Sequence, residues 1–523
     1  MPIAIDIAIP PEAAANSDYL RRAAAQALHL AEGDVGVVQL VRRSVDARHG
    51  KALLQLRLNV YRRGEQPPAA PARFDYRNVA GKPPVIIVGA GPAGLFAALK
   101  LLEKGLKPVI LERGKCVKER KRDIARLARE RIVDPNSNLC FGEGGAGAYS
   151  DGKLYTRSGK RGSVAHILQQ LVQHGANPDI LVEAHPHVGS DMLPGIVANI
   201  RQTICSCGGE YHFGVRVVGV TVKNGVATGV VDERGARYEG IAVALATGHS
   251  ACDVYEMLGR QQLAIESKPF ALGVRVEHPQ YLINEIQYHG KGYSPLLPAA
   301  AYSLVAQVEG RGVFSFCMCP GGMIVPSATA PGELVVNGMS GSRRSSPYAN
   351  AGVVAQVNLA DYARYEEYGA LAGLRFRQEV EWAMFAAGGA AQAAPAQRLT
   401  DFVSGRVSAS LGKTSYTPGV TSAPLHALLP GFVSRSLRRA FVEFGKKMRG
   451  YLTGEAMLLA VESRTSSPVR IPRNPQTLQH IGVANLYPCG EGAGYAGGIT
   501  SSAIDGVCCA ERIVRQAEEN LSC

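Results

Sequence analysis

The sequence lacks the features that mark membrane-spanning and secreted proteins. No apolar run approaches the roughly 18 residues that a membrane-spanning helix needs. The N-terminal stretch has no basic segment and carries Asp6 within its apolar part, so we do not read it as a secretory signal. At 523 residues the chain is too long for one hydrophobic core. We therefore expect a cytoplasmic protein of several domains.

Cysteine is sparse and poorly spaced for disulfide or metal chemistry. None of the 11 cysteines forms a C-x-x-C motif, and no His–Cys set has the spacing of a zinc site. The close groupings are Cys205/Cys207, Cys317/Cys319 and Cys508/Cys509. We predict no metal site and expect most thiols to be small buried side chains. Whether Cys317 and Cys319 are redox-active stays open.

Positive charge is concentrated in one segment. The net charge is +13, and one predicted helix carries Arg120, Lys121, Arg122, Arg126 and Arg129. A solvated helix face explains such a cluster, and so does an anionic cofactor, an acidic partner or RNA. Because no RNA-binding motif accompanies it, we do not expect a nucleic-acid partner.

One glycine motif has the context that gives it a meaning. G-x-G-x-x-G occurs three times, but only Gly89, Gly91 and Gly94 follow an apolar strand and open a helix. Glu112 ends the next predicted strand, where a carboxylate can accept from a ribose hydroxyl. The helix N-terminus presents unpaired N–H groups to phosphate. This pattern predicts a dinucleotide-binding βαβ unit.

Two later segments extend the pattern. Three strands broken by Asn224-Gly225 and Arg234-Gly235 turns predict a β-meander, and a strand ending at Cys489 precedes a glycine loop and a helix. This order resembles the FAD-binding domain of two-dinucleotide-fold flavoproteins. We therefore predict an α/β fold: a Rossmann-like FAD-binding domain (parallel sheet plus β-meander), an inserted α+β substrate domain and a small N-terminal α+β domain.

The predicted domain boundaries follow from these elements. Residues 1–78 form the N-terminal domain, which ends in a linker containing Pro67, Pro68 and Pro71. The FAD-binding domain comprises 79–266 and a closing segment, 451–523. The inserted substrate domain occupies 267–450.

Several longer strings support a family resemblance. FGEGGAGAYSDGKL, ATGHSACD, FCMCPGG, ESRTSSPVRIPR and GEGAGYAGGI resemble bacterial FAD-dependent dehydrogenases described as "NAD(FAD)-utilising". The resemblance implies FAD contacts at Gly89, Gly91, Gly94, Glu112, Arg113, Gly144, Gly145, Val217, Gly490, Glu491, Gly498 and Ile499. Two departures are Glu491 in place of an Asp, and Ala148-Tyr149 in place of Thr-Phe.

Flavin performs the redox step itself, so the protein supplies orientation, charge and proton management. Lys153 could favour reduced flavin or bind an anion, or could be a surface lysine. Arg464 could bind a substrate carboxylate or phosphate, or could pair with a glutamate between domains. His249 is a weaker candidate, since a histidine after a Thr-Gly turn more often serves as a hydrogen-bonding group than as a base.

Together these patterns predict a FAD-dependent oxidoreductase. It would exchange a hydride between flavin N5 and a small, acidic organic substrate, with catalytic candidates Lys153 and Arg464. NAD(P)H, as a transient electron donor, would bind without a Rossmann domain of its own. The alternatives are a flavin-bound sensor or scaffold protein and an RNA-modifying flavoenzyme. The sequence leaves substrate identity and oligomeric state open.

Overall fold

A computed structural model describes residues 2–48, 50–68, 73–156, 162–290 and 292–522. Part of the predicted linker, including Pro71, lies outside the described residues. Within the described ranges, no helix combines the length and apolar character needed to cross a membrane.

The N-terminal unit is a three-stranded antiparallel sheet covered by one helix. Its elements are β1 (Ile3–Ile9), α1 (Ser17–Leu28), β2 (Val35–Asp46) and β3 (Leu53–Arg62), with strand order β1-β3-β2. Alternate residues of the central strand β3 form its core with α1, as expected for a sheet with one buried face. Arg43 joins the unit to the rest of the chain by donating to Glu183 at 2.7 Å.

The nucleotide-binding unit begins with a parallel sheet and its helices. Its first elements are β4 (Pro84–Val88), α2 (Pro92–Lys104), β5 (Lys107–Glu112), α3 (Val117–Glu130), α4 (Val164–Gln173), α5 (Leu193–Ser206) and β6 (Glu210–Phe213). The meander follows as β7 (Val217–Lys223), β8 (Val226–Asp232) and β9 (Arg237–Glu239), then β10 (Ala242–Leu245) and α6 (Cys252–Arg260). Asn224 and Gly225 both have positive φ, as a tight hairpin turn requires.

The next region of the chain forms one seven-stranded sheet and two two-stranded sheets. The strands are β11 (Glu266–Ser267), β12 (Phe270–Pro279), β13 (Val305–Val308), β14 (Arg311–Cys319), β15 (Met323–Pro326), β16 (Val336–Met339), β17 (Tyr348–Val357), β18 (Ala394–Arg398), β19 (Val420–Ser422), β20 (Met457–Glu462) and β21 (Val469–Arg470). The helices are α7 (Gln280–Gln287), α8 (Ala372–Ala387), α9 (Leu399–Ser404), α10 (Leu425–Leu428) and α11 (Gly431–Lys447). The seven-stranded sheet, called the second sheet below, has the order β13-β14-β17-β12-β20-β18-β19, so β20 extends it past residue 450. The two small sheets pair β11 with β21 and β15 with β16.

The chain then returns to the parallel sheet of the nucleotide-binding unit. β22 (Leu486–Pro488) pairs in parallel with β10, which gives the five-stranded order β22-β10-β4-β5-β6. The last helix, α12 (Ile499–Ser522), packs on α2. The predicted α/β class, with a Rossmann-like parallel sheet, a meander and further α+β units, is confirmed.

One predicted helix is divided in the structure. The sequence favours continuous helix over 359–387, but a 3-10 segment, Leu359–Leu371, precedes α8. Gly369 has a φ of 53° within that segment. This left-handed conformation suits glycine and breaks the helical path.

The second sheet holds a carboxyl group whose protonation we expect to affect stability. Burial raises the pKa of Glu277 to about 7 from 4.5, although hydrogen bonds from Ser415 oppose the shift. At a pH between these two pKa values, Glu277 keeps its proton in the folded chain and loses it in the unfolded chain. The free energy of unfolding therefore falls as the pH rises. The expected loss is roughly 3 kcal/mol between pH 4.5 and 7.

Glu277→Gln should remove this pH-dependent loss. Urea unfolding of the variant and the wild type at pH 5 and pH 8 measures it. Glu367→Gln, at an exposed position, is the control and should keep the wild-type pH dependence. Equal pH dependence of Glu277→Gln and wild type would contradict the assignment.

Candidate functional site

A large cavity lies at the carboxyl ends of β4, β5, β10 and β22, the edge at which doubly wound sheets bind ligands. Phe316 and Glu462 of the second sheet, and Asn337 of β16, line its opposite side. Of the predicted site residues, Gly94 and Gly144 pack behind the lining. The others line the cavity: Gly89, Gly91, Glu112, Arg113, Gly145, Lys153, Val217, Arg464, Gly490, Glu491, Gly498 and Ile499.

The first glycine loop is shaped by three different requirements. Gly89 has a φ of 105°, and a Cβ there would lie 2.5 Å from the carbonyl oxygen of Ala246. At Gly94 a Cβ would overlap the carbonyl oxygen of Gly89, so α2 could not pack on β4. A Cβ on Gly91 would meet only Gly145 Cα, at 3.9 Å. Gly91 therefore leaves open space at the N-terminus of α2, where an anion is favoured.

Glu112 connects this loop to its neighbours. The buried carboxylate accepts from the backbone N–H groups of Ala90 at 2.9 Å, Gly114 at 2.9 Å and Gly142 at 3.0 Å. A carboxylate offers about four lone-pair sites, so one stays available for a hydroxyl. Glu112 thus holds the loops together, in addition to its predicted ribose contact.

The second glycine loop depends on Arg120, which sequence reasoning missed. The Gly144 N–H donates to the carbonyl of Ala90 at 2.8 Å, which places this loop against the first. Arg120 is fully buried and donates to five carbonyl oxygens of the loop. These acceptors are Asn138, Leu139, Gly142, Glu143 and Gly145.

The position of Arg120 alters the interpretation of the basic helix. Arg120 shares the buried face of α3 with Val117, Asp123 and Leu127. A helical projection of the sequence would have placed Arg120 on the same face as Val117 and Leu127, which is the face that packs against the protein. Its charge is therefore used inside the protein rather than at a surface for RNA.

Arg113 and Val217 border the cavity beside the meander. Arg113 donates to Asp253 at 2.7 Å, and its guanidinium lies 4.4 Å from the ring centroid of Phe141. Arg216 also donates to Asp253, at 3.0 Å. Although burial opposes the charge, these arginines lower the pKa of Asp253 and keep it ionised. Val217 begins β7 next to this group.

The closing segment brings a second helix N-terminus to the cavity. Gly498 and Ile499 lie where α12 begins. The Gly490 N–H donates to Asp505 at 2.7 Å, and Arg473 pairs with the same carboxylate at 2.6 Å. A Cβ on Gly506 would overlap the Ala93 carbonyl, so glycine is what lets α12 approach α2.

A cluster with metal-ligand atoms lies behind this segment. The ligand atoms of Cys489, Asp505 and Cys509 lie within 4.8 Å of one another. Arg473 donates to both Asp505 and the Cys509 sulfur, at 3.5 Å for the latter. The guanidinium therefore already supplies the positive charge that a metal ion would bring.

Lys153 lies at the side of the cavity nearer the second sheet. Its side chain is 38% exposed, and Nζ donates to the Met318 carbonyl and lies 4.0 Å from Asp151. Cys317 and Cys319 are nearby, and Arg275 donates to the Cys317 carbonyl at 2.8 Å and the Cys319 sulfur at 3.6 Å. Arg275 therefore holds this segment in place.

Arg464 has the environment of a structural ion pair. Its guanidinium is buried and donates to Glu381 at 2.9 Å, Glu333 at 2.7 Å and Thr329 at 2.7 Å. The acceptors lie within the protein and occupy both terminal nitrogens of the guanidinium, Nη1 and Nη2. The predicted role as a fork for a substrate anion does not fit this geometry, whereas the alternative of a Glu–Arg pair does.

His249 and Glu491 lie together, although 242 residues separate them. His249 Nδ1 is 2.9 Å from Glu491 Oε2, and Nε2 is 2.9 Å from the Arg464 carbonyl oxygen. The pair connects the ends of β10 and β22 to the segment after β20.

Two families of FAD-dependent domains match this chain. Residues 82–124 match the family described as "FAD binding domain", and residues 269–465 match "FAD-dependent protein, C-terminal domain-like". Residues 1–61 match a domain of unknown function. An uncharacterized protein of Clostridium beijerinckii is 39% identical over 520 residues, covering 95% of this chain and 96% of the relative.

Solved structures give a more distant likeness. A mutant of the halogenase PltM in complex with FAD has a TM-score of 0.40 at 11% identity, over 84% of this chain and 71% of its own. The flavin-dependent brominase Bmp2 has a TM-score of 0.35 at 13% identity, over 83% of this chain and 79% of its own. Likeness at this level carries no argument about function.

Proposed function

We propose that this chain, which belongs to a family of FAD-dependent proteins, is an oxidoreductase that exchanges a hydride between flavin and a small anionic substrate. The observation that carries the proposal is the cavity between the two sheets. One side has two glycine loops and two helix N-termini, and the other has Lys153 and side chains of the second sheet. We propose residues 79–266 and 451–523 as the cofactor domain and 267–450 as the main part of the substrate domain, with β20 of the closing segment completing the sheet of the substrate domain.

The residues present fit FAD. Gly91 leaves space for a pyrophosphate at the N-terminus of α2, and Glu112 retains an acceptor site for a ribose hydroxyl. The N-terminus of α12 offers positive partial charge to a second electron-rich group. Bound FAD would supply hydride transfer at N5. The protein would hold it through Gly91, Glu112, Arg113, Gly145, Val217 and the segment from Gly490 to Ile499.

Lys153 is our candidate for substrate binding. A charge-assisted hydrogen bond to an anion contributes about 1.5–3 kcal/mol. Lys153→Met should therefore weaken the binding of acetate and phosphate, used as probe anions, about tenfold or more, while FAD content stays at the wild-type level. Anion-induced changes in flavin absorbance measure the affinity. Lys121→Met, at an exposed position on α3, should bind both anions as wild type does. Unchanged anion affinity in Lys153→Met would refute the role of Lys153.

One experiment identifies the class of electron donor. The FAD-loaded protein is mixed anaerobically with NADPH, and then with NADH, while the flavin absorbance is recorded. Rapid bleaching would support the nicotinamide-linked dehydrogenase class that the sequence resembles. A flavin that dithionite reduces but neither nucleotide bleaches would point to reduction by the substrate itself.

The two other hypotheses have less support. A sensor or scaffold would be favoured by a flavin without a route for substrate, but the cavity includes Lys153 and the 55% exposed Tyr155. The basic helix is the basis for the hypothesis of an RNA-modifying enzyme. Arg120 of that helix is buried inside the protein and is therefore not available to RNA.

A further inference from the structure

His249 and Glu491 form a close side-chain contact at the cavity. They follow neighbouring parallel strands, β10 and β22, and both side chains line the cavity. His249 is 12% exposed and Glu491 is 26% exposed, so the pair is largely withdrawn from solvent.

The acceptors around His249 determine where its protons are. The Arg464 carbonyl oxygen can only accept, so His249 Nε2 must carry a hydrogen. A neutral imidazole protonated at Nε2 has a bare Nδ1, which would face the Glu491 carboxylate, itself only an acceptor. The 2.9 Å contact is therefore a hydrogen bond only if a proton sits on Nδ1 or on Oε2.

The charges nearby are compatible with this extra proton. Glu462 lies close enough to interact with a charge on His249, and it pairs with Arg275 at 2.6 Å. The Arg464 guanidinium, on the residue whose carbonyl accepts from His249, is balanced by Glu333 and Glu381. A positive charge on His249 therefore has Glu491 as its direct partner, and Lys268 is a second cation that interacts with Glu491.

We propose that the His249–Glu491 pair stores one proton at the cavity and delivers it to the substrate, an inference that rests on the proposed function. Hydride addition to one atom of a polarised double bond leaves an electron pair on the neighbouring atom. The proton leaves Nδ1 or Oε2 and forms an O–H or N–H bond there. The pair is left as neutral imidazole and carboxylate, and solvent returns the proton. In the opposite direction the pair accepts the proton.

The stored proton can be observed without turnover. In the full FAD-loaded chain with ¹⁵N-labelled histidine, at pH 7, we expect a downfield proton resonance correlated with His249 Nδ1. His249→Gln identifies the signal by its loss, and Glu491→Gln should also abolish it, because an amide N–H then replaces the shared proton. An Nδ1 shift typical of bare imidazole, with no downfield proton in the wild type, would overturn the proposal.

Delivery of the proton is tested by turnover with the substrate pair that supports flavin reduction and reoxidation. General acid catalysis contributes about 10²–10⁴-fold, so at saturating FAD Glu491→Gln should lower kcat at least about 100-fold with KM near wild type. Glu256→Gln, on the exposed face of α6, is the control and should keep the wild-type kcat. An unchanged kcat in Glu491→Gln would refute delivery. If the wild type shows no hydride exchange, the proposed function fails, while the spectrum still decides whether the pair shares a proton.

Discussion

Gly91→Val should yield a folded protein that purifies without flavin. The space around Gly91 is open apart from Gly145 Cα, so the protein itself accommodates a side chain. That side chain would project from the N-terminus of α2 into the place proposed for the pyrophosphate. Loss of the phosphate contacts should lower FAD affinity at least about 1,000-fold, or roughly 4 kcal/mol. Flavin absorbance of the purified protein and FAD titration measure it.

Gly195→Val is a matched control for this variant. Gly91 precedes the first residue of α2, and Gly195 lies in the first turn of α5, where a Cβ would have no neighbour within 4 Å. The control should retain FAD, and both variants should have circular dichroism spectra like the wild type. A yellow Gly91→Val protein would show that the pyrophosphate lies elsewhere.

Arg120→Met should lose both stability and FAD. The substitution removes the donor for five loop carbonyls while keeping most of the side-chain volume. A buried acceptor without a partner costs about 1–3 kcal/mol, so the combined loss should exceed about 3 kcal/mol. The second glycine loop would then no longer be held against Gly91. Thermal unfolding and FAD titration report the two effects.

Arg122→Met provides the comparison, because Arg122 lies on the exposed face of the same helix. It removes the same charge from α3 and should change the unfolding temperature little. If Arg120→Met and Arg122→Met behaved alike, the role of Arg120 in holding the loop would be wrong.

Local patterns made the cofactor domain predictable. The glycines after β4, the acid at the end of β5 and the Asn224-Gly225 turn each act over a few residues, so their spacing alone indicates the structure. The family comparisons confirm the FAD-dependent class. The family comparisons do not identify the reaction, and the roles of individual site residues stay predictions.

Contacts between distant segments were not predictable in this way. Arg464 pairs with Glu333 and Glu381, which precede it by 131 and 83 residues, so the sequence could not distinguish an ion pair from a substrate-binding fork. The shared contact of His249 and Glu491 likewise arises only because β10 and β22 are neighbours in the sheet. Arg120 differs, because its place on the buried stripe of α3 was accessible from helical periodicity.

The most direct test of the account is titration of the flavin-free full chain with FAD, followed by calorimetry or by quenching of flavin fluorescence. We predict that one FAD binds per chain, and that Gly91→Val abolishes this binding while Gly195→Val preserves it. Failure of the folded wild-type chain to bind FAD, or equal binding by Gly91→Val, would contradict the assignment of the cavity as a flavin site.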